Sequence, residues 1–181
     1  NSFIAEVTIQ LRSDGYDTDL VSMINSNFQT DTNIGGYTLK EGGVILSLSN
    51  ICFKSGSMVM TDQGKIKIEK LDSKKHTLRG HKIQCITQTI HTDNYLVHIK
   101  ANAFGDNVPS QDTEITANHQ IQYKGKMVKA RQLLGENGVS KVLYNGEVLY
   151  NVLMKQHQRM LVNNMVCETL DPENIIAVLH S

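Results

Sequence analysis

From residue 52 onward, apolar side chains recur at every second position in short runs, and no other feature constrains the fold so tightly. Ile66/Ile68, His81/Ile83/Cys85, Tyr95/Val97/Ile99, Ile121/Tyr123 and Val148/Tyr150/Val152 are the clearest examples. Side chains of an extended backbone alternate between faces, so this spacing fills one face of a sheet. Turn residues separate the runs: Asp62-Gln63-Gly64, Lys124-Gly125, Asn163-Asn164, and Asn145-Gly146 between Val142-Leu143-Tyr144 and Val148-Leu149-Tyr150. Asn-Gly takes up positive φ angles at low cost, so it predicts a two-residue hairpin between its flanking runs. Only Lys129 to Leu134 reads as a helical turn. The class that follows is all-β, built from many short strands, and not a parallel βαβ array.

The first 51 residues read differently, as a small α+β flank. Phe3, Ala5, Val7, Ile9 and Leu11 alternate as a strand would. Asp17-Thr18-Asp19 supplies caps for a short helix carrying Leu20, Val21, Ile24 and Phe28. Gly35-Gly36 and Gly42-Gly43 then mark turns around a further strand, and Val44 to Leu48 forms another. A loose internal echo lies further on: "GKIKIEKL" (Gly64 to Leu71) returns as "GKMVKARQL" (Gly125 to Leu133). Each is a glycine turn, a lysine, a short strand and a leucine-closed bend. Two half-domains packed about a pseudo-twofold axis would leave such a trace, and so would two unrelated β-turn segments.

Charge excludes some partners. Eighteen basic and eighteen acidic residues cancel, so no electrostatic case exists for binding nucleic acid or an anionic membrane. No basic run, apolar stretch of spanning length or signal-peptide pattern is present. The three cysteines, Cys52, Cys85 and Cys167, are odd in number and widely spaced, with no CxxC or His-rich cluster. Neither a disulfide framework nor a zinc site is indicated, and no cofactor or metal is expected.

Chemistry concentrates around Cys52, which stands between a strand-like run and the turn Ser55-Gly56-Ser57. An ordinary thiol is only a few per cent ionised near neutrality, so reactivity requires a helper. "TEITANHQI" offers one, because Thr116-Ala117-Asn118-His119 can aim a hydroxyl and an imidazole at a single spot. His157 is a third candidate, just before a last hairpin with its turn at Asn163-Asn164. Cysteine is also among the most buried residue types; Cys85 reads as core, and Cys167, in the closing strand, as core or near the site. His76, His81, His91 and His98 show no partner pattern and read as solvated or strand histidines.

Three segments in order resemble the Hint module of hedgehog autoprocessing domains, inteins and bacterial intein-like domains. "CFKSGSMVMTDQGKIKIEKL" is similar to the opening motif, a cysteine followed by Gly-Ser, a strand, a glycine turn and an Ile-Glu-x-Leu bend. "VPSQDTEITANHQIQYKGKMVKARQL" is similar to the second, with its Thr-x-x-His, and "VLYNVLMKQHQRMLVNNMVCETL" to the closing hairpin. The likeness runs from Cys52 to about Leu170. It implies a horseshoe-like fold and an intramolecular reaction, in which the Cys52 sulfur attacks the Ile51 carbonyl and the upstream chain moves onto the thiol. In the roles it implies, His119 protonates the leaving nitrogen of the Ile51–Cys52 bond, Thr116 fixes the geometry, and backbone donors hold the oxyanion.

The departures from that family define what is expected of this chain. Splicing inteins close with His-Asn, where this chain has Glu168-Thr169, so N-terminal cleavage without full splicing is implied. Asn151 stands where many inteins carry an aspartate that tunes the thiol. Asp93 falls near the place of the hedgehog acceptor-activating aspartate, although an exposed turn residue is the favoured reading of it, and Asp112 reads as a turn or cap. His157 occupies the place of a histidine that assists C-terminal events. The implied organisation is a flank at 1–51, an autoprocessing domain at 52–172 and a tail at 173–181. The substrate would be the chain's own N-terminal flank, with water, a small thiol or an amine as acceptor. Rival readings are an inactive Hint-fold interaction module of a larger surface or virion-type protein, and a cysteine protease acting in trans.

Overall fold

A computed structural model describes residues 51–91 and 93–172, together with the backbone of two short strands further upstream. The chain divides into two compact units, Asn1–Leu48 and Ser49–Ser181. In the first, β1 (Asn33–Ile34) pairs antiparallel with β2 (Tyr37–Thr38), Asn33 opposite Thr38 and Ile34 opposite Tyr37. The strand at the N-terminus, the helix after Asp19 and the strand over Val44 to Leu48 lie outside the described residues.

The second unit is built almost entirely of strands, in two antiparallel sheets. The first six strands are β3 (Phe53–Lys54), β4 (Met58–Thr61), β5 (Gly64–Lys67), β6 (Thr77–Leu78), β7 (His81–Thr89) and β8 (Tyr95–Ile99). They are followed by β9 (Thr113–Ile115), β10 (Gln120–Tyr123), β11 (Lys126–Lys129), β12 (Val139–Leu143), β13 (Leu149–Met154), β14 (Arg159–Val162) and β15 (Met165–Glu168). One sheet has the order β11-β10-β15-β14-β4-β5, the other β12-β8-β9-β3-β13-β7-β6. The inward residues of both, among them Phe53, Val59, Ile115, Ile121, Val152, Val162 and Cys167, form one continuous core.

The internal echo has a structural counterpart. The hairpins β4–β5 and β10–β11 occupy opposite edges of the six-stranded sheet, and each is followed by a 3-10 turn, Ile68–Lys70 and Ala130–Leu133. Ile68 N–H donates to Ser57 O at 2.8 Å, and Ala130 N–H donates to His119 O at 2.9 Å. Both bonds span eleven residues, so the two halves close with the same stitch. The helical turn expected over Lys129 to Leu134 is the second of these. The Ile68–Lys70 turn sits where the sequence showed only a bend, because an Ile-Glu-Lys triplet has no helical period of its own.

The Asn163-Asn164 hairpin forms as expected. Val162 faces Met165, and the two asparagines take φ of 48° and 64°, the left-handed pair that a tight hairpin requires. Asn163 also ties the sheets together. Its Oδ1 accepts from Met58 N–H and its Nδ2 donates to Thr113 Oγ1, both at 2.8 Å.

The Asn145-Gly146 hairpin does not form. Gly146 has φ of 82°, but β12 pairs with β8 from Val139↔Ile99 to Leu143↔Tyr95, and β13 is flanked by β3 and β7. Both edges of β13 are taken, so the connection turns away. Tyr144 pins it there, with its N–H donating to Asn94 O at 2.9 Å and its hydroxyl to Glu147 O at 2.5 Å. A second correction concerns Cys85, which is half-buried and not core. The β13–β7 register slips between Leu153↔Cys85 and Met154↔Ile83, and that bulge takes Cys85 out of the alternation.

Candidate active site

Phe53 lies opposite both Tyr150 of β13 and Ile115 of β9, so Cys52 enters the sheet between these two strands. Thr116 continues β9 by one residue and closes on Cys52 from two sides. Its N–H donates to Cys52 O at 3.0 Å, and its Oγ1 accepts Cys52 N–H at 2.9 Å. That second bond holds the nitrogen of the Ile51–Cys52 peptide. The carbonyl of the same peptide is held by Asn151, whose Nδ2 donates to Ile51 O.

The direction of the Asn151 amide is fixed by its other end. Oδ1 accepts Val152 N–H at 2.7 Å, so a flipped amide would set donor against donor and acceptor against acceptor. An aspartate here would face the Ile51 oxygen with like charge, whereas asparagine offers a neutral donor. Asn151 and Thr116 are both fully buried, which strengthens such bonds by excluding water. A side chain therefore grips this carbonyl where backbone donors were expected.

His119 is buried against Phe53, with ring centroids 4.2 Å apart. Its Nε2 lies 3.1 Å from Glu168 O. A carbonyl can only accept, so Nε2 carries the proton and Nδ1 keeps its lone pair in the neutral ring. Burial pushes the His119 pKa down to about 4, partly offset by the Glu168 carbonyl and by the Cys52 backbone. Nδ1 is buried and has no well-formed hydrogen bond among the described residues, although the Cys52 backbone is its near neighbour. The ring is thus a neutral base near pH 7, close enough to the Cys52 backbone to feel it.

Cys52 itself packs with Leu96, Tyr144 and Leu149, and burial pushes its thiol well above the ordinary range. A free thiolate is disfavoured here, so ionisation must accompany attack.

The remaining candidates fall in two places. His157 is half-exposed and meets the largely buried Glu168, with Nε2–Oε2 at 3.3 Å. Glu168 also accepts Gln120 N–H at 2.8 Å, and burial raises its pKa against the pull of Gln120 and His157. His157 therefore stands behind His119, across Glu168, and does not reach the Ile51–Cys52 bond through any hydrogen bond in the described residues. Asp93 pairs with His91, Oδ2 to Nε2 at 3.1 Å. That corrects the expectation for His91, which is neither solvated nor unpartnered but buried beside Tyr144. Asp112 does act as a cap, accepting Ala101 N–H at 2.9 Å. Glu168 and His91 escaped the sequence reading. Glu168 meets Gln120 of a distant strand, and His91 is buried by Tyr144 from 53 residues along the chain, although its ionic partner Asp93 is only two residues away.

With the cysteine, the Thr-x-x-His pair and the carbonyl donor around one peptide, the comparisons with known proteins can be set beside the geometry. The sequence model described as Hint domain matches residues 51–174. The chain belongs to the Hint family. Members of the Hint/intein group process their own polypeptide chains, and the fold here supports autoprocessing in general. Among solved structures, the chain is similar to a bacterial intein-like domain from Clostridium thermocellum, at 16% identity and a TM-score of 0.50, over 67% of this chain and 100% of that one. It is also similar to a DnaB intein from Synechocystis, at 11% identity and a TM-score of 0.45, over 67% of this chain and 99% of that one. At these identities the likeness concerns the fold. No curated protein matches the chain in sequence.

The buried imidazole makes stability depend on pH with a defined sign. His119 in the unfolded chain titrates near 6.5 and in the folded Hint domain near 4. Between those values only the unfolded state binds the proton, so stability is full above pH 6.5 and falls as pH drops toward 4. The loss is about 3 kcal/mol. Glu168, whose pKa is raised by burial, contributes the opposite slope as pH rises past its ordinary value. Urea midpoints of wild type and H119Q from pH 4 to 7 separate the two, because the difference between the curves should shrink as pH falls.

Proposed function

We propose that this Hint domain cleaves its own chain at the Ile51–Cys52 bond by an N-to-S acyl shift, followed by release of the upstream segment without splicing. The observation that carries the reading is the hold on one peptide bond from both ends: Thr116 Oγ1 on its nitrogen and Asn151 Nδ2 on its oxygen.

The chemistry follows from those contacts. The Cys52 sulfur attacks the Ile51 carbonyl carbon while His119 Nδ1 takes the thiol proton, since burial leaves no thiolate in waiting. Negative charge gathers on the Ile51 oxygen, where Asn151 already donates and Thr116 keeps the plane from rotating. The tetrahedral centre collapses by breaking the bond to nitrogen, and His119 Nδ1–H delivers the same proton to that nitrogen. One proton moves from sulfur to nitrogen, leaving a thioester at Ile51 and a free amine on Cys52. The tethered nucleophile needs no diffusional encounter, which supplies much of the rate.

Splicing needs a cyclising side-chain amide at the C-terminal junction, and the closing strand ends in Glu168-Thr169. The Thr169 hydroxyl accepts Gln158 N–H at 2.9 Å and donates to Gln158 O at 3.2 Å, a structural tie. Residues 1–51 would form the carboxyl end of the released passenger, and the thioester would pass to water, a small thiol or an amine.

Incubating the full chain with excess dithiothreitol and following intact mass tests the reading. Two fragments separated between residues 51 and 52 are expected, and a folded chain that keeps its mass would favour an inactive interaction module. The Asn151→Ala chain should release the same fragments about 10²–10³-fold more slowly, the usual cost of one oxyanion donor. An unchanged rate would remove Asn151 from the mechanism.

A further inference from the structure

Two neighbouring strands of the six-stranded sheet are joined at a single position. β4 and β14 pair only at Val59↔Val162, whereas each runs in full register with its own hairpin partner, β5 or β15. Beyond that one pair a groove of about 270 Å³ opens, with residues 60–62 on one side and 159–161 on the other. Leu78 and Met160 line it and are almost fully buried, while Met60 and Leu161 line it at 39% exposure each. Among the described residues only four large apolar side chains stand exposed, and two of them flank this groove. Single exposed apolar residues are ordinary, but a pair over an apolar floor marks a surface that something covers.

The surroundings are basic. Arg79 and Arg159 both line the groove, and the exposed Lys65 stands opposite Met60 on the next strand. None of the three makes an ion pair among the described residues. Arg159 lies directly across from Glu168, but that carboxylate is already held by Gln120 and His157. Asp62 is the acid of the groove, and the β6–β7 turn occupies it. Its Oδ2 accepts the Thr77 hydroxyl at 2.5 Å and Gly80 N–H at 2.8 Å.

Arg79 is also held in a conformation that arginine does not favour. Leu78 faces His81, so Arg79-Gly80 is a two-residue hairpin turn, with φ of 51° and 79°. Both positions need the left-handed region, which asparagine and glycine enter readily and arginine does not. An asparagine would fit the turn better and would take the guanidinium out of the groove. Local strain kept at a charged, partly apolar surface points to binding.

We propose that this groove docks an extended acidic segment of a partner protein, with one apolar side chain entering between Met60 and Leu161 and carboxylates meeting Arg79 and Arg159. Guanidinium forks match carboxylates, and an apolar floor keeps water from competing for them. Two guanidiniums on separate elements suit acids flanking an apolar residue better than a single charged head. The groove is also smaller than the roughly 300 Å³ at which sites enclosing small molecules begin, and fits an anchoring side chain instead. None of these residues belongs to the acyl-shift site, so the two readings stand or fall separately.

Fluorescence anisotropy of a labelled synthetic peptide alternating glutamate and leucine, titrated with the full chain, tests the proposal. Saturable binding is expected, weakened about tenfold or more when glutamine replaces glutamate in the peptide, and about tenfold in Arg159→Gln. Arg79→Asn separates binding from structure. Its urea midpoint should rise, because the turn is relieved, while its affinity for the peptide falls about tenfold. Absence of saturable binding, equal binding of the glutamine peptide, or unchanged affinity in both arginine variants overturns the proposal. A lower urea midpoint in Arg79→Asn would mark Arg79 as a residue of the fold and remove it from the site. A chain that binds anionic vesicles but not the peptide, or that forms dimers abolished by Leu161→Asp, would give the groove another occupant and overturn the proposal as well.

Discussion

A Cys52→Ala chain should stay whole under every condition that cleaves wild type. No other nucleophile replaces the sulfur: Thr116 Oγ1 is occupied by the Cys52 N–H, and Asn151 is committed at both ends of its amide. The expected effect is complete loss of the 1–51 fragment on a denaturing gel. The fold should survive, because the thiol occupies a small cluster with Leu96, Tyr144 and Leu149 and alanine deletes one atom from it. A loss of about 1 kcal/mol is the scale for so small a cavity. Cleavage persisting in Cys52→Ala would move the reaction to another residue.

The second large effect is at His119. Removing a positioned acid–base group costs 10²–10⁴ in rate, and here one imidazole both accepts the thiol proton and delivers it to nitrogen. His119→Gln should therefore slow thiol-induced cleavage by at least a hundredfold. Glutamine is the better replacement than alanine, since the ring packs against Phe53 and fills buried space. Its amide can still donate to Glu168 O but cannot cycle a proton. A rate within threefold of wild type would show that His119 only supports the fold.

Much of this arrangement was legible in the chain before any coordinates. Period-two alternation identified β7, β8, β10 and β13, and paired asparagines identified the β14–β15 turn, because both signals are local. Thr116 and His119 were visible for the same reason, lying three residues apart on one turn. What stayed hidden depends on which strands become neighbours. The Asn145-Gly146 signal was sound as a turn, yet β13 had already taken β3 and β7 as partners and left no edge for β12. Asn151 could be placed near the nucleophile, but not assigned to the Ile51 oxygen, since that bond joins positions a hundred residues apart. His91 looked like an ordinary strand-end histidine until Tyr144 and Asp93 closed around it.

One experiment bears on the whole account. Hydroxylamine added to the freshly folded full chain attacks a thioester far faster than an amide, and marks the acyl group that it releases. The account predicts that intact mass spectrometry will show residues 1–51 ending in an Ile51 hydroxamate, and a second fragment beginning with Cys52. A folded chain that keeps its full mass through long exposure to hydroxylamine would contradict it.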